Sequence, residues 1–210
     1  LTVTGSNTTW TFGTLGATQR MQWALDAWKA ADPAVVTKNV DVPEGTAAPY
    51  DGTARVILGW RVTSLGNGTW RYEYALENAN SDRAVQAFSV PFGAGVTITN
   101  AGFHDVDFLG GDGQGNANQS AVDWTANVGA NAVAWATETF AQNANANALR
   151  WGTTYNFRFD ANVPPTSGSV TLTQFKTANV VAVTNVDVPG TTATPPGVAF
   201  CAADGSQPGA

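Results

Sequence analysis

Apolar and polar residues alternate with a period of two through most of the chain, and Gly, Pro and Asn cut the pattern at short intervals. Such alternation belongs to strands with one buried face, because successive side chains of an extended backbone point to opposite sides. The clearest instance flanks Asn67-Gly68, where Val56–Thr63 leads in and Trp70–Leu76 leads out. Asn-Gly favours the left-handed backbone of a type I′ turn, so these segments are expected to form a hairpin. On the outgoing strand Trp70, Tyr72, Tyr74 and Leu76 share the face expected in the core, and Arg71, Glu73 and Glu77 share the face expected in solvent. Further strands are predicted at Val85–Phe92, Val96–His104, Val122–Val128, Ala132–Thr137, Thr153–Asp160, Ser169–Phe175 and Val180–Val188. Short strands with turn signals roughly every 8–12 residues are the mark of a β-sandwich.

One segment departs from this rhythm. Met21, Ala24, Leu25 and Trp28 recur at helical spacing, with Thr18 available as N-cap and Pro33 beyond the end, so a short helix is expected over about residues 19–31. The fold expected is therefore all-β: an immunoglobulin- or fibronectin-like antiparallel sandwich with one short helix. Residues 1–33 would supply N-terminal strands and the helix, packed on a sandwich of residues 34–189. Residues 190–210, rich in Gly, Pro and Thr, would form a flexible tail or linker. The pentapeptide Asn39-Val-Asp-Val-Pro43 recurs letter for letter as Asn185-Val-Asp-Val-Pro189. It is read first as two equivalent strand ends stopped by proline. The functional alternative is intermolecular pairing by strand addition, through Val40, Val42, Val186 and Val188.

Composition narrows the function classes. Of 210 residues 43% are hydrophobic, enough for one substantial core, but only 12% are charged against a usual ~25%. With one histidine and one cysteine, a four-ligand His/Cys zinc site and an intrachain disulfide are both excluded. Ten Lys and Arg in a chain of net charge −6 argue against nucleic acid. No apolar run is long enough to span a membrane as a helix. Thr, Asn and Gly in place of Lys suggest an extracellular or cell-surface location. The opening in mid-pattern at Leu1–Val3 suggests a mature or trimmed product.

Candidate chemistry concentrates around His104-Asp105-Val106-Asp107 and the glycine-rich run that follows it. Asp105 and Asp107 would share a face, and the loop could fold Asp112 and Asn116 back towards them. Such oxygens suit calcium, which takes 6–8 of them at roughly 2.3–2.6 Å. The spacing is not that of an EF-hand, and turn-capping aspartates explain the same residues without a metal. His104 could act as a general base oriented by Asp105 or Asp123. Glu73, Glu77, Asp107 and Glu138 supply carboxylates for a glycosidase pair, with no sign that any two face each other. Eight tryptophans are read mainly as core, Trp60, Trp70, Trp124, Trp135 and Trp151 among them, although an exposed row would stack on sugars. Arg83, Arg150 and Arg158 are expected to pair with acids such as Asp82 or Asp160.

The blocks Trp70–Asn78, Asn80–Arg83, Phe88–Pro91, Gly102–Asp107 and Ala148–Asp160 together resemble the C-terminal β module of large uncharacterised secreted proteins of planctomycete-type bacteria. The similarity covers about residues 15–190. It implies export and a multi-module context and carries over no catalytic residue. Cys201-Ala-Ala-Asp204 resembles the Cys-Pro-Ala-Asp start of a tail that leads into a dockerin-like or calcium-binding segment, without the proline. The function expected is that of a non-enzymatic module for cell-surface assembly or adhesion, a filament or surface-layer subunit joined by strand addition to itself or to other surface proteins. A polysaccharide-binding module of a secreted hydrolase is the alternative, and a hydrolase using Asp105, Asp107 or His104 is the third reading.

Overall fold

β-branched and aromatic residues at alternate positions give twelve strands and one helix among the described residues, which in this computed structural model are 2–6, 9–13, 20–45, 52–108 and 118–190. β1 (Thr2–Ser6) and β2 (Thr9–Gly13) form a separate hairpin. The helix α1 (Ala24–Ala31) follows, then β3 (Val36–Gly45), β4 (Gly52–Ser64), β5 (Trp70–Asn78), β6 (Val85–Pro91) and β7 (Ile98–His104). β8 (Thr125–Val128), β9 (Ala132–Ala136), β10 (Thr154–Ala161), β11 (Pro165–Gln174) and β12 (Val180–Pro189) complete the order. Two five-stranded sheets face each other, β3-β4-β5-β10-β7 and β12-β11-β6-β9-β8, with every pairing antiparallel. This is the all-β sandwich with one short helix that the alternation predicts.

The inward faces meet in an aromatic core. Tyr72 and Tyr74 of β5 and Phe157 and Phe159 of β10 pack against Phe88 of β6 and Trp135 of β9. Phe88 and Phe157 lie 4.9 Å apart between ring centroids, Tyr72 and Phe159 5.0 Å, and Trp135 and Phe157 5.3 Å. Such pairs add about 0.5–1.5 kcal/mol each beyond the area they bury. The two tyrosine hydroxyls escape the penalty of burial by donating to backbone carbonyls, Tyr72 to Val163 and Tyr74 to Asp187. Burial pushes both phenols well above their ordinary pKa.

The helix begins later than its periodicity suggests. Met21 is fully exposed with φ 57°, Thr18 lies outside the described residues, and the helix starts at Ala24. Two acids decide this. The Asp26 carboxylate accepts from the Trp23 N–H at 3.0 Å, and Glu77 of β5 accepts from the N–H groups of Ala24 and Leu25 at 3.0 and 3.1 Å. Glu77 is therefore buried against the helix, not the solvent-side residue expected. Leu25 and Trp28 pack on Ile57, Ala75 and Ala79, on the outer face of the first sheet. Gly59 makes room for them, since a Cβ there would meet Leu25 Cδ1 at 3.2 Å.

The hairpin between β4 and β5 forms as expected, but its turn is not type I′. Ser64 pairs with Trp70, leaving residues 65–69 in the loop, and positive φ falls on Gly66 and Gly68 instead of Asn67 and Gly68. Asn67 turns the chain with its side chain, accepting from the Thr69 N–H at 3.2 Å. The predicted tail from residue 191 onwards lies outside the described residues, and no described helix is long and apolar enough to cross a membrane.

Candidate functional site

β7 ends at His104, and the chain leaves the sheet there with its next side chains diverging. Asp105 is buried and accepts from the Asn147 side-chain N–H, whereas His104 stands exposed on the outer face. Asn147 holds this corner together. It also donates to Val122 O at 3.0 Å, and it accepts from the Tyr155 hydroxyl at 2.5 Å. Burial first, then the Asp105 carboxylate, pushes the Tyr155 phenol well above its ordinary pKa. His104 and Asp105 thus point apart, so the expected orienting contact between them is not made.

Asp105 and Asp107 do converge, and the residue that joins them is Asp123, from the stretch before β8. One carboxylate oxygen from each lies within 4.8 Å of the others, with Asp107 and Asp123 exposed. Three carboxylates at that spacing can ligate a divalent cation such as calcium, leaving further positions for water or loop oxygens. The other two residues expected in this set, Asp112 and Asn116, lie outside the described residues. The sequence offers Asp123 only as a partner of His104, because the glycine-rich excursion that separates it from Asp105 hides the contact.

His104 belongs instead to a groove of about 370 Å³ on the outer face of the first sheet, between α1 and the edge strand β7. Trp28 walls one side, and β5 (Glu73, Tyr74), β7 (Gly102, Phe103, His104) and β10 (Asn156, Phe157, Arg158) line the rest. Register places Arg158 between Glu73 and Gly102, and Asn156 between Ala75 and His104. Arg158 leans towards Gly102, where an added Cβ would lie 2.9 Å from its Nε. The side chains of Glu73, His104, Asn156 and Arg158 make no hydrogen bond or ion pair with any described residue.

The arginines depart from expectation. Asp160 is hydrogen-bonded by Arg71, its cross-strand neighbour, at 2.9 and 3.2 Å, and Arg158 acts on it only through its charge. Asp82 is taken by Lys176 at 2.8 Å. Arg150 donates to the carbonyls of Ala144 and Ala146 and stacks over Phe175 at 5.4 Å, and its burial lowers its pKa. The four carboxylates that the sequence offers for a glycosidase pair have separate surroundings. Glu77 caps the helix, Glu138 accepts from Asn143, Asp107 sits in the acidic cluster and Glu73 lines the groove.

The tryptophans divide. Trp60, Trp124 and Trp135 are buried, whereas Trp151, expected near the core, is 74% exposed and Trp23 45%. Trp151 and Trp23 line neighbouring depressions that share Asn80, where Lys176–Asp82 and Arg55–Asp41 pair among themselves.

The two pentapeptides fall on the two edge strands of one flank. Val40 and Val42 of β3 and Val186 and Val188 of β12 point inward and are buried. Their strands differ in regularity. β3 pairs with β4 without interruption from Val36 to Pro43, running through the proline to a bulge before Gly45. β12 is interrupted at Asn185, which has φ 53° and lies in the register shift between Val186 and Thr184. Lys38 reaches across the flank and donates to Thr184 O at 2.7 Å. Comparison with known proteins gave no match, either to a protein-family model or among curated proteins.

Proposed function

We propose that the chain is a non-enzymatic extracellular module for assembly or adhesion at the cell surface, in the setting of a secreted bacterial protein, and that it joins its partner by strand addition at β3. The observation that carries this reading is the uninterrupted register of Val36–Pro43 along an edge whose outer side has no paired strand among the described residues. Such an edge presents a row of backbone donors and acceptors to an incoming strand. β12, bent by its bulge at Asn185, is the poorer acceptor of the two. Val40 and Val42 support the edge from inside the core, so the pairing itself runs through the backbone.

Prolines placed singly at Lys38 and Asn39 test it, because neighbouring N–H groups of a strand point to opposite sides. Light scattering over a range of concentration is expected to show association of the native chain. The variant that loses an outward N–H keeps its fold and becomes monomeric, and the variant that loses a ladder bond is destabilised. A native chain that stays monomeric throughout contradicts the reading.

Carbohydrate binding is the second reading, favoured by the groove beside Trp28. It combines an indole wall with donors and an acceptor that make no hydrogen bond to any described residue, on a paired sheet.

A further inference from the structure

We infer that the groove between α1 and β7 binds an uncharged pyranose unit, held by Glu73, Asn156 and Arg158 beside the Trp28 indole. The inference rests on the carbohydrate reading and adds to it a site and a ligand class.

Glu73 and Arg158 are cross-strand neighbours of opposite charge, the arrangement that ordinarily closes into an ion pair. Here it stays open. Gly102 has no side chain, so Arg158 lies towards β7 and away from Glu73, leaving the groove between an acceptor and a donor. Asn156 adds both kinds of group one pair further along the sheet, and none of these side chains makes a hydrogen bond or ion pair with a described residue, although Glu73 feels the charge of Arg71 and Arg158 that of Asp160.

The chemistry of the lining selects the ligand. An anion that meets Arg158 is opposed by Glu73, and a cation that meets Glu73 is opposed by Arg158. A group that both donates and accepts satisfies the two together, and hydroxyls on adjacent carbons do so at neighbouring positions. The Trp28 ring gives the apolar face of a sugar a surface to pack on. At about 370 Å³ the groove falls near the lower end of the range for ligand sites, roughly 300–1,000 Å³, which suits a mono- or disaccharide unit. The floor is preorganised: Gly102, Asn156 and Arg158 sit on paired strands, and Trp28 packs on the cluster of Leu25, Ile57, Ala75 and Ala79, close over Gly59, where an added Cβ would meet its ring at 3.4 Å.

The test is an amide NMR titration of the full chain with methyl glycosides of glucose, galactose and mannose, and with glucuronic acid. Saturable shifts at Trp28, Glu73, Gly102, Asn156 and Arg158 with a neutral glycoside are expected. Arg158→Ala and Glu73→Gln, both at the sheet surface, should each weaken binding by about tenfold or more while the remaining spectrum is unchanged. Neutral glycosides that shift Trp23 and Trp151 instead overturn the groove and leave carbohydrate binding standing. Preference for glucuronic acid overturns the uncharged class. No shift with any saccharide, extended to soluble oligosaccharides, overturns both the site and the carbohydrate reading.

Discussion

Asp160 shows how a single side chain on this charge-poor surface is committed. Nearly buried, it accepts from Arg71 twice and from Asn100 at 2.7 Å. The Arg71 hydrogen bond, helped by Asn100 and by nearby positive charge, holds its carboxyl below the ordinary aspartate value in spite of burial. A group depressed in this way stabilises the fold in full above its unfolded pKa of about 3.9, and the contribution is lost as the pH falls through its lower folded value. Asp160→Asn is therefore expected to cost about 1–3 kcal/mol near neutrality and progressively less in acid. Urea unfolding at about pH 7 and about pH 3 checks this, and an equal loss at both contradicts it. The cluster of Asp105, Asp107 and Asp123 makes a second residue-scale prediction. Calcium should raise the melting temperature of the native chain reversibly with chelator, and should not do so in the Asp107→Asn, Asp123→Asn double variant. An equal response in both leaves the cluster without a role in calcium binding. At this scale the sequence reveals residue types more readily than partners. Asp105 and Asp107 are close along the chain, so the sequence shows them together, whereas only the fold brings in Asp123. The sequence ties Arg158 to Asp160 two positions away, and its charge does reach that carboxylate, but the hydrogen bonds come from Arg71 across the ladder.

Among the elements, α1 depends on its neighbours more than on its own residues. Eight residues are too few for a stable isolated helix, so docking and capping maintain it. Glu77→Ala removes the acceptor of two helix N–H groups, with an expected cost of about 1–3 kcal/mol and faster amide exchange over residues 24–31. Unchanged exchange there would show that Leu25 and Trp28 hold the helix without the cap. Strands are legible in the sequence because alternation reports one buried face directly, as in Trp70–Leu76 with Tyr72, Tyr74 and Leu76 all in the core. Their ends are less so. Asn67-Gly68 suggested a two-residue turn, yet the ladder stops at Ser64–Trp70 and spreads the reversal over five residues with Gly66 and Gly68 left-handed. Pro43 was expected to end its strand, but β3 is an edge, where a missing N–H need not interrupt the ladder. Identical pentapeptides adopt different backbones for the same kind of reason. Asn39 pairs regularly with Ile57, whereas Asn185 takes up the extra residue of a bulge.

For the molecule as a whole, the aromatic interior supplies the burial on which stability rests in a chain with so few charges. Opposite flanks differ in their edges. The second sheet ends on the four-residue β8, and β7 is irregular against β10, between Arg158 and Asp160. On the other flank β3 offers the longest regular run at an edge, with Val36 exposed at its start. Short strands and bulges discourage pairing, which leaves β3 as the edge most open to it. The proposed strand addition is tested most directly by amide hydrogen exchange along Val36–Val42 as a function of protein concentration. The outward N–H groups of β3 are expected to gain protection as concentration rises, while their inward neighbours, already bonded to β4, stay protected throughout. Fast exchange of the outward groups at every concentration would contradict assembly through this edge.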